Sequence, residues 1–155
     1  MLPSPTGAAV RLLPPVIYFV PFALMWTLQR WRPWTIPGGT AVSVAGLTLT
    51  VSGIVLMLWS FVTLRRAHTT VIPWAHVLAM VTAGPFRFSR NPIYLADAIT
   101  YLGGSLLIQS WLPLLVLPGA LLVMRRKVID REERHLAERF GDAYREYRLR
   151  VRRLL

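Results

Sequence analysis

Residues 84–94 read GPFRFSRNPIY, a polar and arginine-bearing turn between two long apolar segments. The turn places two arginines, an amide, two prolines and three aromatic residues in eleven positions. Such a set is costly to hold at a bilayer surface unless it binds something. We therefore interpret this turn as one half of a ligand site. We expect the other half at Arg131, Glu132 and Glu133 in the charged tail.

The charged residues are few and unevenly spaced. Of 155 residues, enough for one domain, 54% are hydrophobic and 16% are charged, whereas charged residues make up about a quarter of an average soluble protein. Uncharged runs of eighteen, thirty-two and, apart from Asp97, thirty-four residues follow Arg11, Arg32 and Arg90. Because about 20 apolar residues cross a hydrocarbon core, the sequence predicts an integral membrane protein.

The net charge of +11 comes mostly from the tail. Residues 1–110 carry seven arginines and one aspartate, while residues 111–155 carry eleven basic and six acidic residues. Mixed charge after a membrane segment is typical of a cytoplasmic tail at the interface. No recognition motif accompanies the charge, so we expect no nucleic-acid partner. With no cysteine and no metal-ligand spacing among the three histidines, we also expect no metal.

The predicted fold is all-α and membrane-embedded, with one domain over residues 1–155. The four expected spans are residues 12–29, 40–64, 93–109 and 111–128. The first span follows no basic leader region, so we interpret it as a retained span rather than a signal peptide. The run 93–124 would reach about 48 Å as one helix, which exceeds the bilayer core, and Gly103, Gly104 and Pro113 favour a hairpin.

A hairpin brings the turn and the tail to the same side of the membrane. The loop 67–92 then faces the tail helix 129–153, which is amphipathic and is packed down by Tyr144 and Tyr147. This topology leaves only Arg30 and Arg32 outside, in agreement with the positive-inside rule.

Four small or hydroxyl residues share one face of the second span. At helical spacing they predict close packing against another helix, and the same face could serve a homodimer. They are Ser43, Gly46, Thr50 and Gly53.

Two blocks of the sequence resemble the integral membrane methyltransferases. Residues 81–95 (VTAGPFRFSRNPIYL) are followed by a short apolar hairpin and then by Glu132, Glu133, Leu136 and residues 140–147. That family comprises isoprenylcysteine carboxyl methyltransferases, phospholipid N-methyltransferases and bacterial relatives. The resemblance covers residues 65–150. It implies S-adenosylmethionine bound at the cytoplasmic face, here of a bacterial inner membrane, and a lipophilic acceptor arriving from the bilayer.

The resemblance also implies individual roles. Asn91 stands where the eukaryotic members have histidine. The arginine proposed to handle the acceptor in those members falls on Val128, which leaves Arg126 and Arg131 nearby as the candidate catalytic residues. The implied cofactor-binding residues are Leu78, Ala79, Met80, Val81, Phe86, Asn91, Pro92, Ile93, Tyr94 and Glu132.

The residue types fit such a cofactor on their own chemistry. Aromatic faces at Phe86 and Tyr94 can meet a sulfonium or an adenine. Glu132 can pair with an ammonium group, and Arg87 or Arg90 with a carboxylate. The simpler alternative is that both arginines are snorkelling interfacial cations and that the glutamate is a solvated helix residue.

Asp97 shares a helix face with Tyr94 and Tyr101. An acid at this depth needs a partner. It either bonds a neighbouring side chain structurally or helps to position the acceptor.

Two other functions stay open from the sequence. One is a sterol-type membrane reductase with a nicotinamide cofactor, whose members share an Arg-His-Pro-x-Tyr pattern. Asn91 and the pair Glu132 and Glu133 argue for the methyltransferase instead. The other is a non-enzymatic membrane protein of the same fold, which would explain Val128. The acceptor itself, an isoprenylcysteine-like carboxylate or a lipid amine, is not specified by the sequence.

Overall fold

The structure, a computed structural model, describes residues 14–68 and 80–154, and most of these residues are helical. They include a 3₁₀ turn at Gly84–Arg87 and a π-helical turn at Arg125–Ile129. The described residues form no strand, apart from one isolated bridge between Thr35 and Ser110. The all-α prediction is confirmed for these residues. The α-helices are α1 (Pro14–Trp31), α2 (Gly39–Arg66), α3 (Pro92–Leu107), α4 (Trp111–Met124) and α5 (Asp130–Arg150).

The long apolar run after the turn folds as two helices rather than one. Gln109 takes a left-handed conformation, with φ 49°, between α3 and α4. Its side-chain amide donates to the carbonyl of Gly39 and to the hydroxyl of Ser43, both at 2.8 Å. The hydroxyl of Ser110 accepts from the backbone N–H of Leu112 and caps α4. The chain therefore reverses at residues 108–110.

The connectors on either side of the bundle meet at one end. The backbone N–H of Ile36 donates to the carbonyl of Gln109 at 2.8 Å, and that of Trp111 donates to the carbonyl of Trp34 at 3.0 Å. Because successive helices reverse direction, the end of α2, the start of α3 and the end of α4 lie at the opposite end. That opposite end therefore carries the turn at residues 84–94 and the start of α5.

Helix length and composition support one of the four expected membrane spans. Among the described residues, α2 alone is both long enough and apolar enough to cross a bilayer, at 28 residues. The hairpin helices α3 and α4 have 16 and 14 residues, below the ~20 that a full crossing takes. The expectation of four complete spans is thus too high by this measure, because α1 carries Pro21 and Arg30 within its 18 residues and the run after the turn is divided between two short helices.

Glycines let α2 and α3 approach until their backbones touch. A β-carbon at Gly46 would lie 2.6 Å from the backbone nitrogen of Leu107, and one at Gly103 would lie 2.5 Å from that of Thr50. Gly53 faces the carbonyl of Ala96 in the same way, at 2.9 Å. The predicted packing of the small-residue face against another helix is confirmed. The homodimer stays a prediction, and these glycines already serve a contact within the chain.

The hydrophobic core lies between α1, α3, α4 and the π-helical turn. Tyr101 donates its hydroxyl to the carbonyl of Pro113 at 3.0 Å, and its ring packs on Tyr18 and Phe22. Met124 and Val128 continue this core toward the turn and are almost completely buried. The core therefore connects the helical hairpin to the base of the polar region.

Candidate cofactor site

The turn is fixed against the end of α2. Gly84 has φ 59°, a conformation that favours glycine, and a β-carbon there would lie 2.7 Å from the hydroxyl of Thr63. Pro85 is buried behind it. At the start of α3, the hydroxyl of Ser89 accepts from the backbone N–H of Asn91 at 3.2 Å. Pro92 follows at a first-turn position, where its missing N–H costs nothing.

The acidic start of α5 meets the turn directly. The hydroxyl of Tyr94 donates to Oε1 of Glu132 at 2.6 Å. The next residue, Glu133, is only 5% exposed and lies 3.4 Å from Nη1 of Arg90. The two segments that the sequence separates by some forty residues therefore share one site.

Glu132 is an ionisable group whose proton affinity is changed by the fold. Although the residue as a whole is half-buried, its carboxyl group is shielded from water, and this loss of hydration raises its pKa to about 7. The hydrogen bond from Tyr94 acts in the opposite direction, and the neighbouring charge of Glu133 raises the pKa further. The group can thus gain or lose its charge near neutral pH.

Arg90 carries hydrogen-bonding capacity that the described residues do not use. Its side chain is 10% exposed, and its Nε and Nη1 are buried without a hydrogen-bond partner among those residues. The hydroxyl of Tyr144 lies beside it, and burial raises the pKa of Tyr144 to about 12. Buried donors of this kind are costly unless a partner is supplied.

The end of the chain runs back across the turn. We call residues 151–154 the C-terminal strap. The carbonyl of Arg152 accepts from the backbone N–H of Arg90 at 3.0 Å, and the carbonyl of Arg153 accepts from the side-chain amide of Asn91 at 3.1 Å. Tyr147, just before the strap, donates its hydroxyl to the carbonyl of Phe86.

Sequence reasoning did not find the role of the strap. Arg153 makes a bidentate contact with Glu133, at 2.6 Å and 3.3 Å, and Asp130 lies 3.0 Å from its Nη1. In the sequence it is one of several basic residues in the last eleven positions. No local pattern marks it, because its partners lie twenty or more positions earlier.

The predicted site residues divide into three groups. Ile93 packs against the hydrophobic core, and Met80 and Val81 are half-buried ahead of the turn. Leu78 and Ala79 lie outside the described residues. The predicted residues that the structure brings together are Phe86, Arg90, Asn91, Pro92, Tyr94 and Glu132.

The predicted arginines take different positions. Arg87 is exposed, with its guanidinium 4.7 Å from the ring of Phe88, and it does not join the site cluster. Arg126 is exposed on the π-helical turn, whereas Arg131 is half-buried next to Glu132 in the chain. Val128, onto which the resemblance places the acceptor-handling arginine, is completely buried in the core.

Asp97 lies one turn along α3 from Tyr94 and is half-buried. Its carboxylate is close enough to Tyr18 and Tyr94 to interact with them electrostatically. The hydroxyl of Tyr18 is buried and has no hydrogen-bond partner in the described ranges. Asp97 thus lies close to two tyrosines. Its two roles, bonding a neighbouring side chain and positioning the acceptor, both stay predictions.

A family model provides an independent assignment. The model for phospholipid methyltransferase matches residues 41–143, from the start of α2 to the middle of α5. The chain belongs to this family. The resemblance that the turn and Glu132 carry to membrane methyltransferases is confirmed, and both lie inside the matched region. The C-terminal strap lies beyond it.

One curated relative shows how far the similarity extends. The chain is 30% identical over 133 residues to the cobalt-zinc-cadmium resistance protein CzcN of Cupriavidus metallidurans. The alignment covers 82% of this chain and 54% of the relative, so the chain spans about half the length of that protein. No solved structure matches the chain.

Proposed function

We propose that this protein transfers a methyl group from S-adenosylmethionine to a lipophilic acceptor at the membrane. The observation that carries the proposal is the meeting of the turn with the acidic start of α5, through Tyr94 and Glu132 at 2.6 Å. Membership of the phospholipid methyltransferase family supports the reaction class. The geometry supports a single polar site at one end of the helical bundle.

The side chains present fit the polar groups of this cofactor. Nε and Nη1 of Arg90 have no hydrogen-bond partner among the described residues, although Nη1 lies 3.4 Å from Glu133, and they suit its carboxylate. The carboxylate of Glu132 suits its ammonium group. Phe86, half-buried, can offer a ring face to a cation. Within the described part of the chain, the amide of Asn91 gives one N–H to the carbonyl of Arg153, and its oxygen and second N–H suit an adenine or ribose edge.

When bound, the cofactor supplies an electrophilic methyl group on a sulfonium. The chain's own residues need only bind, align and exclude water, because positive charge is lost as the methyl group is transferred. Tyr144 and Tyr147 are both buried, the first beside Arg90 and the second bonded to the carbonyl of Phe86. Their contribution is to keep water from the polar groups of the turn.

The acceptor is proposed to come from the bilayer. The outer face of α2 exposes Val44, Leu47, Val51 and Ile54, as expected of a lipid-facing helix. We propose that α1, α3 and α4 lie in the membrane beside α2, with the shorter hairpin helices covering part of its thickness. An isoprenylcysteine-like carboxylate and a lipid amine both suit a site at the helix ends.

Charge supports a cytoplasmic site. The site end of the bundle carries Arg65 and Arg66 at the end of α2, and the π-helical turn Arg125–Ile129 adds three more cations. The opposite end carries Arg30 and Arg32. By the positive-inside rule, the site faces the cytoplasm, here from a bacterial inner membrane. Arg126 is proposed to attract the acceptor head group, and Arg131 to hold it.

Calorimetry on purified protein in detergent tests the cofactor assignment. We expect micromolar binding of S-adenosylmethionine, weakened at least tenfold by Glu132→Ala and by Asn91→Ala, which corresponds to about 1.4 kcal/mol or more. Glu146→Ala is the matched control, because Glu146 is an exposed acid of the same helix. Its affinity should equal that of the wild type.

The same preparation separates the rival functions. Absence of S-adenosylmethionine binding by folded protein would contradict the proposal, and binding of NADPH instead would favour the reductase. Transfer of a labelled methyl group into the lipid fraction of a bacterial extract tests the reaction itself. Labelling that depends on Glu132 is the expected result.

A further inference from the structure

We infer that Arg153 is a positioning residue of the cofactor site: it holds Glu133 so that the guanidinium of Arg90 stays available to the cofactor. The inference rests on the proposed function and adds to it a residue beyond the family-matched region. It concerns the C-terminal strap, which makes polar contacts with the turn and with the start of α5, while Leu154 packs against the hydrophobic core.

The side chain of Arg153 joins two acids one turn apart on α5. Its Nη2 lies 2.6 Å from Oε2 of Glu133, its Nε lies 3.3 Å from Oε1, and its Nη1 lies 3.0 Å from Oδ1 of Asp130. All three nitrogens of the guanidinium are used. The planar fork of arginine suits this bidentate arrangement, and a lysine ammonium does not reproduce it.

Glu133 is shared between two arginines. Its Oε1 lies 3.3 Å from Nε of Arg153 and 3.4 Å from Nη1 of Arg90. The shorter contacts belong to Arg153, and the approach of Arg90 has no hydrogen-bond geometry. Without Arg153, the buried carboxylate would keep Arg90 as its cationic partner and draw it into a closed pair. The donors that suit the cofactor's carboxylate would then be consumed.

The backbone of the strap also holds the turn. The carbonyl of Arg152 accepts from the backbone N–H of Arg90, and the carbonyl of Arg153 accepts from the hydroxyl of Ser89 and from the side-chain amide of Asn91. These bonds fix Ser89, Arg90 and Asn91, in the second half of the turn. The side-chain contacts of Arg153 hold the strap where its carbonyl can accept them.

Arg150 provides a matched control three residues earlier. It also pairs with a glutamate, Glu146, at 3.3 Å, but both side chains are at least 70% exposed. The side chain of Arg153 is 29% exposed, and its partner Glu133 is 6% exposed. The two arginines therefore match in charge and location while differing in burial and in contact with the site.

Kinetics with Arg153→Ala, Arg153→Lys and Arg150→Ala test the inference. We expect Arg153→Ala to raise the KM and the Kd for S-adenosylmethionine at least tenfold, while kcat at saturating cofactor changes less than about threefold. Arg153→Lys, which keeps the charge without the fork, should fall between wild type and Arg153→Ala. Arg150→Ala should behave as wild type. A purely structural role would instead lower the amount of active protein and leave the KM unchanged, and that result would overturn the inference.

A readout without cofactor separates this inference from the proposed function. Hydrogen exchange at the amide of Arg90, which donates to the strap, should be faster in Arg153→Ala than in wild type and unchanged in Arg150→Ala. If wild type binds no S-adenosylmethionine but this exchange increases, the proposed function fails while the strap contact stands. If Arg153→Ala does not fold, Arg153→Lys and Arg153→Gln replace it. Wild-type affinity in both of these would overturn the positioning role.

Discussion

The α2–α3 interface and the junction of the turn with α5 are both tightly packed, but they are held by opposite means. At the first, Gly46 and Gly103 bring two backbones into contact without any charge. At the second, Arg90, Glu133 and Arg153 form a largely buried ion network. Side chains added at the α2–α3 interface should therefore lower the free energy of unfolding, and this loss should not depend on pH. The site junction should respond to the loss of a charge and to the protonation of Glu132.

The largest effect is expected from filling the glycine contact. Gly46→Leu should destabilise the protein by more than about 3 kcal/mol, because its side chain would overlap the backbone of α3. Gly119→Leu is the control, since nothing lies within 4 Å of a β-carbon at that position of α4. Unfolding in a detergent and denaturant series measures both. Equal losses of stability in the two variants would show that the packing around Gly46 is no tighter than that around Gly119.

The ion network gives the next largest effect. Glu133→Gln should cost about 2 to 3 kcal/mol, since it leaves two arginines without their shared carboxylate; part of the usual cost of a broken buried pair is screened at Arg153. Glu146→Gln removes an exposed carboxylate from the same helix and should cost less than about 1 kcal/mol. The same unfolding series compares them. A loss at Glu146 as large as that at Glu133 would mean that burial does not distinguish the two pairs.

The third test uses pH. With a pKa of about 7, Glu132 carries little charge at pH 6 and is mostly charged at pH 8, so the affinity for a cationic ammonium group should rise about tenfold over that range. Calorimetry at several pH values measures this. Glu132→Gln should bind weakly at every pH, whereas Asn91→Ala should bind weakly but keep the slope.

The raised pKa of Glu132 also makes the stability of the cofactor-free protein depend on pH. Unfolded Glu132 ionises near 4.5 and folded Glu132 near 7, so between these values the folded protein binds one more proton than the unfolded protein. The free energy of unfolding that this proton contributes is fully present below pH 4.5 and is lost as the pH rises through 7. In Glu132→Gln this contribution disappears, whereas Gly46→Ala should leave the pH profile of stability as it is in wild type.

The smallest effect is expected at a single hydroxyl. Tyr147→Phe removes the hydrogen bond to the carbonyl of Phe86 and should cost about 1 kcal/mol. Tyr18→Phe is the contrast, because the Tyr18 hydroxyl is buried with no partner among the described residues. Its removal should be neutral or stabilising. Thermal unfolding of the two variants side by side would contradict this view of the junction if Tyr18→Phe were the more damaging.

Sequence reasoning succeeded where the signal was local. Apolar runs and glycine spacing predicted helices and the close packing of α2, and the motif at residues 84–94 predicted the family. Glu132 was predicted because its block has a recognisable order along the chain, and the structure brings it to Tyr94, although its role in binding a cofactor stays a prediction. The raised pKa of its carboxyl group was not predicted, because burial of that group depends on the tertiary fold.

The remaining features depend on the tertiary fold. Val128 lies inside the π-helical turn Arg125–Ile129 and is completely buried in the core. Hydropathy does not predict a π-helical turn at this position, because such turns are rare. The contacts of Arg153 were missed because a basic residue in a charged segment is usually solvated. The neighbouring sequence does not indicate that Asp130 and Glu133 lie within reach of its guanidinium.

The two connectors at the far end of the bundle are joined through the main chain. The backbone bonds of Ile36 and Trp111 link the α1–α2 connector to the α3–α4 connector, while α1 packs on α4 and α2 packs on α3. Because these bonds use backbone groups, side-chain substitutions in the connectors keep both donors and acceptors, except for proline, which removes the N–H. The far end is therefore specified by the course of the main chain, whereas the end beside Glu132 depends on the identity of individual side chains.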